Sequence, residues 1–281
     1  MNTTQLAPQE SSAEVKLDSL KRILSEMSGV VVAFSGGTDS TLLLKVAHDE
    51  LGDKALAVTA VSPSLSAEEL QSARRMAKKV GAPHLVIDSD ELDNPDYAAN
   101  PPERCYHCKH VLFDELLELA REKCLTHVVD GCNVDDLGDH RPGMRAAREL
   151  GVRSPLMEAG LTKADIRTLS RKLGLPTWNK PSGACLASRI PYGTAITQER
   201  LKQVEDAERF VRSLGISQVR VRLHEDIARI EVDAESMPVL LENRSPIVEE
   251  LRRLGFSYVT ADLEGYRTGS MNETLVDGDH G

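Results

Sequence analysis

Five apolar residues in a row, Val30-Val31-Val32-Ala33-Phe34, run straight into Ser35-Gly36-Gly37-Thr38-Asp39-Ser40. A strand without polar alternation is covered on both faces, as in parallel sheets sandwiched between helices. Residues 41–47 continue as a helix, and the alternation repeats. Residues 55–61 read as a second strand, and Ser66-Ala67-Glu68-Glu69 as a capping box opening a helix to residue 79. Residues 84–88 form a third strand. Residues 108–123 form a helix with Val111, Leu112, Leu116 and Leu119 on one face. A fourth strand over 126–130 and a capped helix over 162–173 follow. Strands alternating with helices predict an α/β fold with a parallel sheet and helices on both faces. Ligands of such sheets sit beyond the carboxyl ends of the strands, where the loops after Phe34, Val61 and Asp130 should converge.

The pattern changes after Tyr192-Gly193. Residues 197–214 read as a long charged helix, 218–223 and 227–232 as an antiparallel pair, 246–254 as a helix and 256–261 as a last strand. The chain therefore divides into a disordered tail over 1–14, an α/β domain over 15–193, a smaller C-terminal α+β domain over 194–270 and a loose acidic tail over 271–281. The helix before the first strand should start near Val15. Lys plus Arg is 34 against 44 for Asp plus Glu, a formal charge of −10. That balance excludes a protein that wraps long nucleic acids, and aromatics at 4% leave few stacking platforms. It permits a local basic pocket for one small phosphorylated substrate. No apolar run approaches the roughly 18 residues of a membrane span and residues 1–19 lack a signal-like apolar core, so the expectation is a cytoplasmic protein with no membrane partner. Five cysteines, an odd number, argue against a disulfide framework and for catalysis or metal binding.

The glycines at 36 and 37 let the backbone approach an anion, and the N–H groups and dipole of the following helix face it. Ser35 and Ser40 add hydroxyl donors. Asp39 repels phosphate unless Mg²⁺ or an ordered local role reconciles the two; a plain glycine turn with an Asp/Ser helix cap is the bland alternative. The Lys-Ser/Thr ending of a Walker loop is missing. Residues 35–40 resemble the PP-loop of ATP pyrophosphatases, which implies an adenine-nucleotide alpha-hydrolase-like domain that binds ATP and adenylates a substrate oxygen. The resemblance assigns ATP contacts to Ser35, Gly36, Gly37, Thr38, Asp39 and Ser40. It gives adenine main-chain contacts at Val61, in Ala60-Val61-Ser62, and matches Gly131-Cys132-Asn133-Val134-Asp135-Asp136 to a second loop, Gly131 included. The Asn and Asp residues there serve equally well as turn formers.

Cys105-Tyr106-His107-Cys108 begins a helix, at the point where a loop enters it, and Cys185 lies in Pro181-Ser182-Gly183-Ala184-Cys185-Leu186-Ala187-Ser188-Arg189. A lone CxxC reads as buried thiols, a redox pair or half a zinc site. No second CxxC completes a Cys₄ site, and three thiolates without a fourth suggest a 4Fe–4S cluster with one iron open. Cys124 and Cys132 read as buried small apolar residues.

Residues 35–40, 130–136, Arg141-Pro142-Gly143 and the stretch 181–193 together resemble the LarE family, over roughly residues 15–270. The resemblance implies an ATP-dependent sulfur insertase that adenylates pyridinium-3,5-biscarboxylic acid mononucleotide and installs sulfur, for the nickel-pincer nucleotide cofactor of lactate racemase. One branch sacrifices the sulfur of a cysteine matched here by Cys185. The presence of Cys105, Cys108 and Cys185 points to the branch with a 4Fe–4S cluster, fed by a sulfide or other sulfur donor. Cys185 and Asp39 are the expected catalytic residues. Arg220 and Arg267 are expected at the substrate phosphate, and Ser188 and Arg189 elsewhere on the substrate. Tyr106 stacks on the pyridinium ring or is a plain helix-start aromatic. Glu208 and Glu231 read more simply as solvated charges than as a metal or interface site. A homo-oligomer built on trimers, joined through the C-terminal domain, is implied. The competing readings are a PP-loop tRNA thiolase, an adenylating ligase and a non-catalytic nucleotide-binding module.

Overall fold

The computed structural model describes residues 7–138, 142–181 and 183–267. Its elements run α1 (Ala7–Ser25), β1 (Val30–Ala33), α2 (Thr38–Leu51), β2 (Ala55–Val61), α3 (Ala67–Val80) and β3 (His84–Asp88). Then come α4 (Pro95–Ala98), α5 (Arg104–Glu122), β4 (His127–Val129), α6 (Pro142–Glu149), α7 (Pro155–Glu158) and α8 (Lys163–Lys172). The last are α9 (Gln198–Ser213), β5 (Val219–His224), β6 (Ile227–Val232), α10 (Met237–Glu242), α11 (Arg244–Arg253) and β7 (Tyr258–Ala261).

The first unit takes in residues to 94 and 103–183. Its sheet is parallel, in the order β3-β2-β1-β4, with Val31 of β1 level with Leu56 and Val128. Alternation along β1 explains why the run had to be wholly apolar. Val30 and Val32 pack with Leu24, Leu43 and Leu169 on one side, while Val31 packs with Phe113, Leu116 and Val128 on the other. All three valines are fully buried, contributing about 1.5–3 kcal/mol each. Helices α1, α2 and α8 cover the first face, α5 and α6 the second. The order also places β1 between β2, which starts the progression toward β3, and β4 on its other side. The crevice at the carboxyl ends of β1 and β4 is thus the switch point at which such sheets take ligands.

The second unit takes in 95–102 and residues from 184 onward. Here β5 and β6 pair antiparallel and β7 joins β6 in parallel, flanked by α9 and α11. The units therefore part at 183/184 rather than at 193/194, and a short segment preceding α5 goes with the second. Asn100 gives the physical reason. Fully buried and left-handed at φ 58°, it donates its amide to the carbonyls of Ile190 (3.2 Å), Pro191 (2.8 Å) and Thr194 (2.9 Å). Its own carbonyl accepts from Gly193 N–H at 2.9 Å.

Helix α1 starts at Ala7, so residues 7–14, expected as tail, are helical. The expected tail over 271–281 lies outside the described residues. Helix α5 starts at Arg104, not at Cys108, so both cysteines of the CxxC lie within it rather than on a loop. None of the described helices is long and apolar enough to cross a membrane.

Asn100→Ala leaves one buried and two partly buried carbonyls without their donor and forces alanine into the left-handed region. We expect a loss of about 2–4 kcal/mol in urea unfolding. Asn100→Gly, which relieves only the backbone, should recover a minor part; full recovery would show that the amide bonds do not hold residues 190–194.

Candidate active site

Helix α2 begins directly under the glycine turn. Gly37 is its N-cap residue and supplies no side chain to cap it, so the first N–H groups of α2 point out of the helix end without an intrahelical acceptor. Gly36 adopts φ 67°, and a Cβ there would lie 2.6 Å from Ala73 Cα on α3. Only glycine fits a left-handed turn pressed against another backbone. Phe34, just before the turn, is fixed from below: its carbonyl accepts from the buried Thr59 hydroxyl at 2.7 Å.

The remaining loop residues divide between ligand-facing and structural work. Ser35 Oγ lies 3.1 Å from Ser40 Oγ and accepts from Gly37 N–H at 3.3 Å, joining the two ends of the cradle. The Thr38 hydroxyl donates to the carbonyl of Thr177 at 2.7 Å, a staple to the segment after α8. Lys180, from the same segment, donates to Gly36 O and to Ser72 Oγ, both at 3.1 Å. Burial lowers the Lys180 pKa; Glu69 opposes that shift and Arg75 adds to it. A cavity of about 590 Å³ is lined by Glu69, Ser72, Arg75 and Lys180 on this side of the cradle.

The loop after β4 meets the same turn. A Cβ at Gly131 would come 3.1 Å from Ser40 N, so a side chain here would crowd the first turn of α2. Asn133 donates to Asp39 Oδ1 at 3.4 Å, and Lys163, the first residue of α8, forms an ion pair with Asp39 Oδ2. Asp39 is therefore reconciled with an anion site by a lysine, which the sequence reading missed because it took residues 162–165 only as a helix cap. That cap is present, with Thr162 and Asp165 bonded reciprocally. Asp130 accepts from Ser154 Oγ (2.7 Å), Cys132 N–H (3.1 Å) and the Cys132 thiol (3.1 Å). Burial, then the Asp130 charge, pushes the Cys132 pKa far up, keeping that thiol protonated. Val61 ends β2 at the same edge of the sheet, and the following Ser62 donates to the buried Glu91 at 2.6 Å.

The expected sulfur residues fall in both units. Cys105 and Cys108 stand one turn apart on α5, Cys105 exposed and Cys108 half-buried. Between them, Tyr106 is already engaged: Arg145 stacks on its ring at 4.1 Å and its hydroxyl donates to Glu149 at 2.6 Å. Cys185, exposed, precedes a 3₁₀ turn over Leu186–Arg189 in the second unit. The five cysteines, all among the described residues, form no disulfide. Cys124 is exposed and Cys132 half-buried, against the expectation that both are buried; φ 55° at Cys124 places it in a turn after α5. Among the described residues no three His, Cys, Asp or Glu side chains are grouped to hold a metal ion.

Arg189, expected at the substrate, is instead committed to its own unit. It is buried, pairs with Glu208 through Nε (2.7 Å) and Nη2 (3.1 Å), and donates from Nη1 to Ala184 O (2.7 Å), Cys185 O (3.1 Å) and Ser188 Oγ (2.9 Å). It thereby shapes the backbone that carries Cys185. Glu208 and Glu231 are buried rather than solvated. Glu208 also accepts from Arg212 (2.6 Å) and from Val221 N–H (3.1 Å), covering the outer edge of β5. Glu231 takes both Nε and Nη2 of Arg222, at 3.0 and 2.8 Å, and Arg222 Nη1 reaches Ser188 O at 2.7 Å. Arg220, buried, lies over the Tyr266 ring at 5.3 Å. Arg267 pairs with Glu264 at 2.7 Å.

A parallel sheet carrying an uncapped helix N-terminus and a glycine cradle at its switch point defines a nucleotide-binding α/β protein of the PP-loop class. A family model described as queuosine biosynthesis protein QueC matches residues 29–99, the stretch that holds the cradle. The pyridinium-3,5-bisthiocarboxylic acid mononucleotide synthase of Lactiplantibacillus plantarum is 41% identical over 93% of this chain and 95% of its own. An uncharacterized protein of Synechocystis sp. is 47% identical over 94% of this chain and 99% of its own. The tRNA-specific 2-thiouridylase MnmA of Rickettsia peacockii is 29% identical over 65% of this chain and 60% of its own. The chain belongs to the LarE family of PP-loop proteins.

Two outcomes follow from this geometry. Gly36→Ala should destabilise the first unit by about 2–4 kcal/mol and weaken ATP binding at least tenfold in calorimetry; wild-type affinity would show that the turn is not the cradle. Glu208→Gln faces three guanidiniums with a neutral amide and should cost about 3–5 kcal/mol. Burial pushes the Glu208 pKa up, but Arg189, Arg212 and Arg220 outweigh it and hold the group below its usual 4.5. A depressed carboxyl stabilises above its unfolded pKa and stops doing so as pH falls. Wild type should therefore lose stability between about pH 5 and 3 more steeply than Glu208→Gln, and parallel urea midpoints over that range would contradict the ion-pair account.

Proposed function

We propose that this protein is an ATP-dependent sulfur insertase that adenylates the carboxylates of pyridinium-3,5-biscarboxylic acid mononucleotide and converts them to thiocarboxylates. The observation that carries this reading is the relative named for that product, which matches nearly the whole chain and so includes both the cradle and the Cys185 loop. The Gly36–Gly37 turn and the first N–H groups of α2 hold the β- and γ-phosphates, with Ser35 and Ser40 beside them. Val61 and Gly131 border the adenosine through their main chains. Asp39 is the carboxylate that would hold a Mg²⁺ ion, whose positive charge would offset the charge that develops on pyrophosphate.

A carboxylate oxygen of the substrate attacks the α-phosphorus, the bond to the β-phosphate oxygen breaks, and pyrophosphate leaves. Sulfur then adds to the activated acyl carbon, and AMP departs with the original oxygen. Holding both reactants in one site replaces a bimolecular encounter. In this reading Arg220 and Arg267 take the substrate phosphate, Ser188 borders it, and Tyr106 exchanges Arg145 for the pyridinium ring. Cys185 is the thiol closest to the sulfur chemistry. A 4Fe–4S cluster on Cys105, Cys108 and Cys185, supplied by a sulfide donor, is the finer form of the proposal; the one-turn spacing of the first two thiols supports a shared role. A nickel-pincer cofactor for lactate racemase as destination, a trimer-based homo-oligomer and a cytoplasmic location belong to this finer form.

The test uses protein reconstituted anaerobically with iron and sulfide. AMP and pyrophosphate should form only when the pyridinium substrate is present, and the product should gain sulfur in place of oxygen. Cys185→Ala should abolish sulfur incorporation yet keep substrate-dependent AMP formation; Cys105→Ala and Cys108→Ala should limit the protein to at most one sulfur per chain. Undiminished sulfur incorporation by Cys185→Ala would overturn the assignment. The match to a tRNA 2-thiouridylase favours a second reading, sulfur transfer to tRNA, which a gel-shift with tRNA decides; the −10 charge weighs against it.

A further inference from the structure

Asp39 poses an electrostatic problem that the cradle must solve. Two like charges about 4 Å apart repel by about 4 kcal/mol even at an effective dielectric of 20. A carboxylate in the first turn of α2 therefore opposes a triphosphate unless a cation stands between. The structure supplies that cation from a distant part of the chain. Lys163 reaches Asp39 Oδ2 with its ammonium group while Asn133 donates to Oδ1. Both side chains of the ion pair stay about a quarter exposed, at 27% and 23%, so the pair borders the crevice rather than the core.

The backbone of Lys163 is anchored independently of its side chain. Its N–H donates to Asp135 Oδ2 at 2.7 Å, and Asp135 N–H in turn donates to Asn133 Oδ1 at 3.0 Å. Thr162 and Asp165 cap the helix, and Lys16 pins Asp165 at 2.6 Å. A fixed backbone thus carries an ammonium, with three donors at the end of a four-carbon stem, to the border of the anion cradle. Such a group transfers readily between acceptors.

We propose that Lys163 is a phosphate-binding residue of the nucleotide site, held on Asp39 until the nucleotide arrives. Resting on the ATP reading above, the ammonium leaves Asp39 for the phosphates when the nucleotide binds, and the freed carboxylate is the group that would hold a metal arriving with it. The pair keeps the empty cradle neutral and gives up a cation when one is needed.

The probe is ATP without metal, in EDTA at fixed ionic strength, with affinity read by calorimetry, so that metal ligation by Asp39 does not enter. Lys163→Met should bind at least about tenfold more weakly than wild type, and Lys163→Arg within about threefold. The charge-balanced double variant Asp39→Asn/Lys163→Met carries the same net charge as wild type and should still bind at least about fivefold more weakly. Should Lys163→Met melt below the assay temperature, Lys163→Gln replaces it, with the same expected loss. Wild-type affinity in the double variant would overturn the proposal, because Lys163 would then only balance Asp39; so would wild-type affinity in Lys163→Met. A wild-type protein that binds no ATP at all would defeat the nucleotide reading itself. One that binds ATP but makes no thiocarboxylate would defeat only the sulfur reading and leave the lysine result standing.

Discussion

An uncapped helix N-terminus at the switch point of a parallel sheet is what the first unit is built to hold. The three buried valines of β1 fix where the strand ends, Thr59 fixes the carbonyl of Phe34, and Gly36 turns left-handed against Ala73. Each step is local packing or hydrogen bonding, and each narrows the freedom of the next. The outcome is a row of N–H groups whose direction does not depend on a ligand. Preorganised donors of this kind stabilise charge without reorganising during the reaction. Around them the structure places polar groups from three further segments: Lys180 after α8, Asn133 after β4 and Lys163 opening α8.

The second unit works by a different means. Its β5–β6 pair is crossed by buried charges, with Arg189, Arg212 and Arg220 around Glu208, and Arg222 and Arg229 around Glu231. Buried ion pairs contribute little net stability but are costly to break, so they favour one arrangement over its neighbours. Here that arrangement includes the carbonyls of Ala184, Cys185 and Ser188, all taken by arginines. The loop that carries the exposed Cys185 is thus held from behind. Arg189 of this motif holds the loop through the carbonyls of Ala184 and Cys185, and Arg220 and Arg267 remain the proposed candidates for substrate phosphate.

Much of this was legible in the sequence wherever the signal was local. The apolar run, the glycine pair and the Ser66 and Thr162 caps each depend on residues within a few positions, and the structure has them. What escaped depends on partners far apart in sequence. Lys163 gains its meaning only from Asp39, which lies in another element and is reached through the β1–β4 adjacency. Glu208 and Glu231 carry charges that an isolated helix or strand would turn to water, and only the register Arg220–Glu231 and the packing of α9 on β5 bury them. The division at 183/184 was missed because Asn100 reaches across some ninety positions to Ile190 and Pro191. Even the start of α5 was set too late, since Cys and His at its first turn give no apolar periodicity.

The central claim is that a carboxylate oxygen of the substrate becomes an oxygen of AMP. The most direct measurement is mass spectrometry of AMP released in single-turnover reactions with pyridinium substrate carrying heavy oxygen in its carboxylates. The account predicts one heavy oxygen in each AMP and sulfur in its former place on the product. Unlabelled AMP, with the heavy oxygen retained on the pyridinium or lost to water, would contradict it.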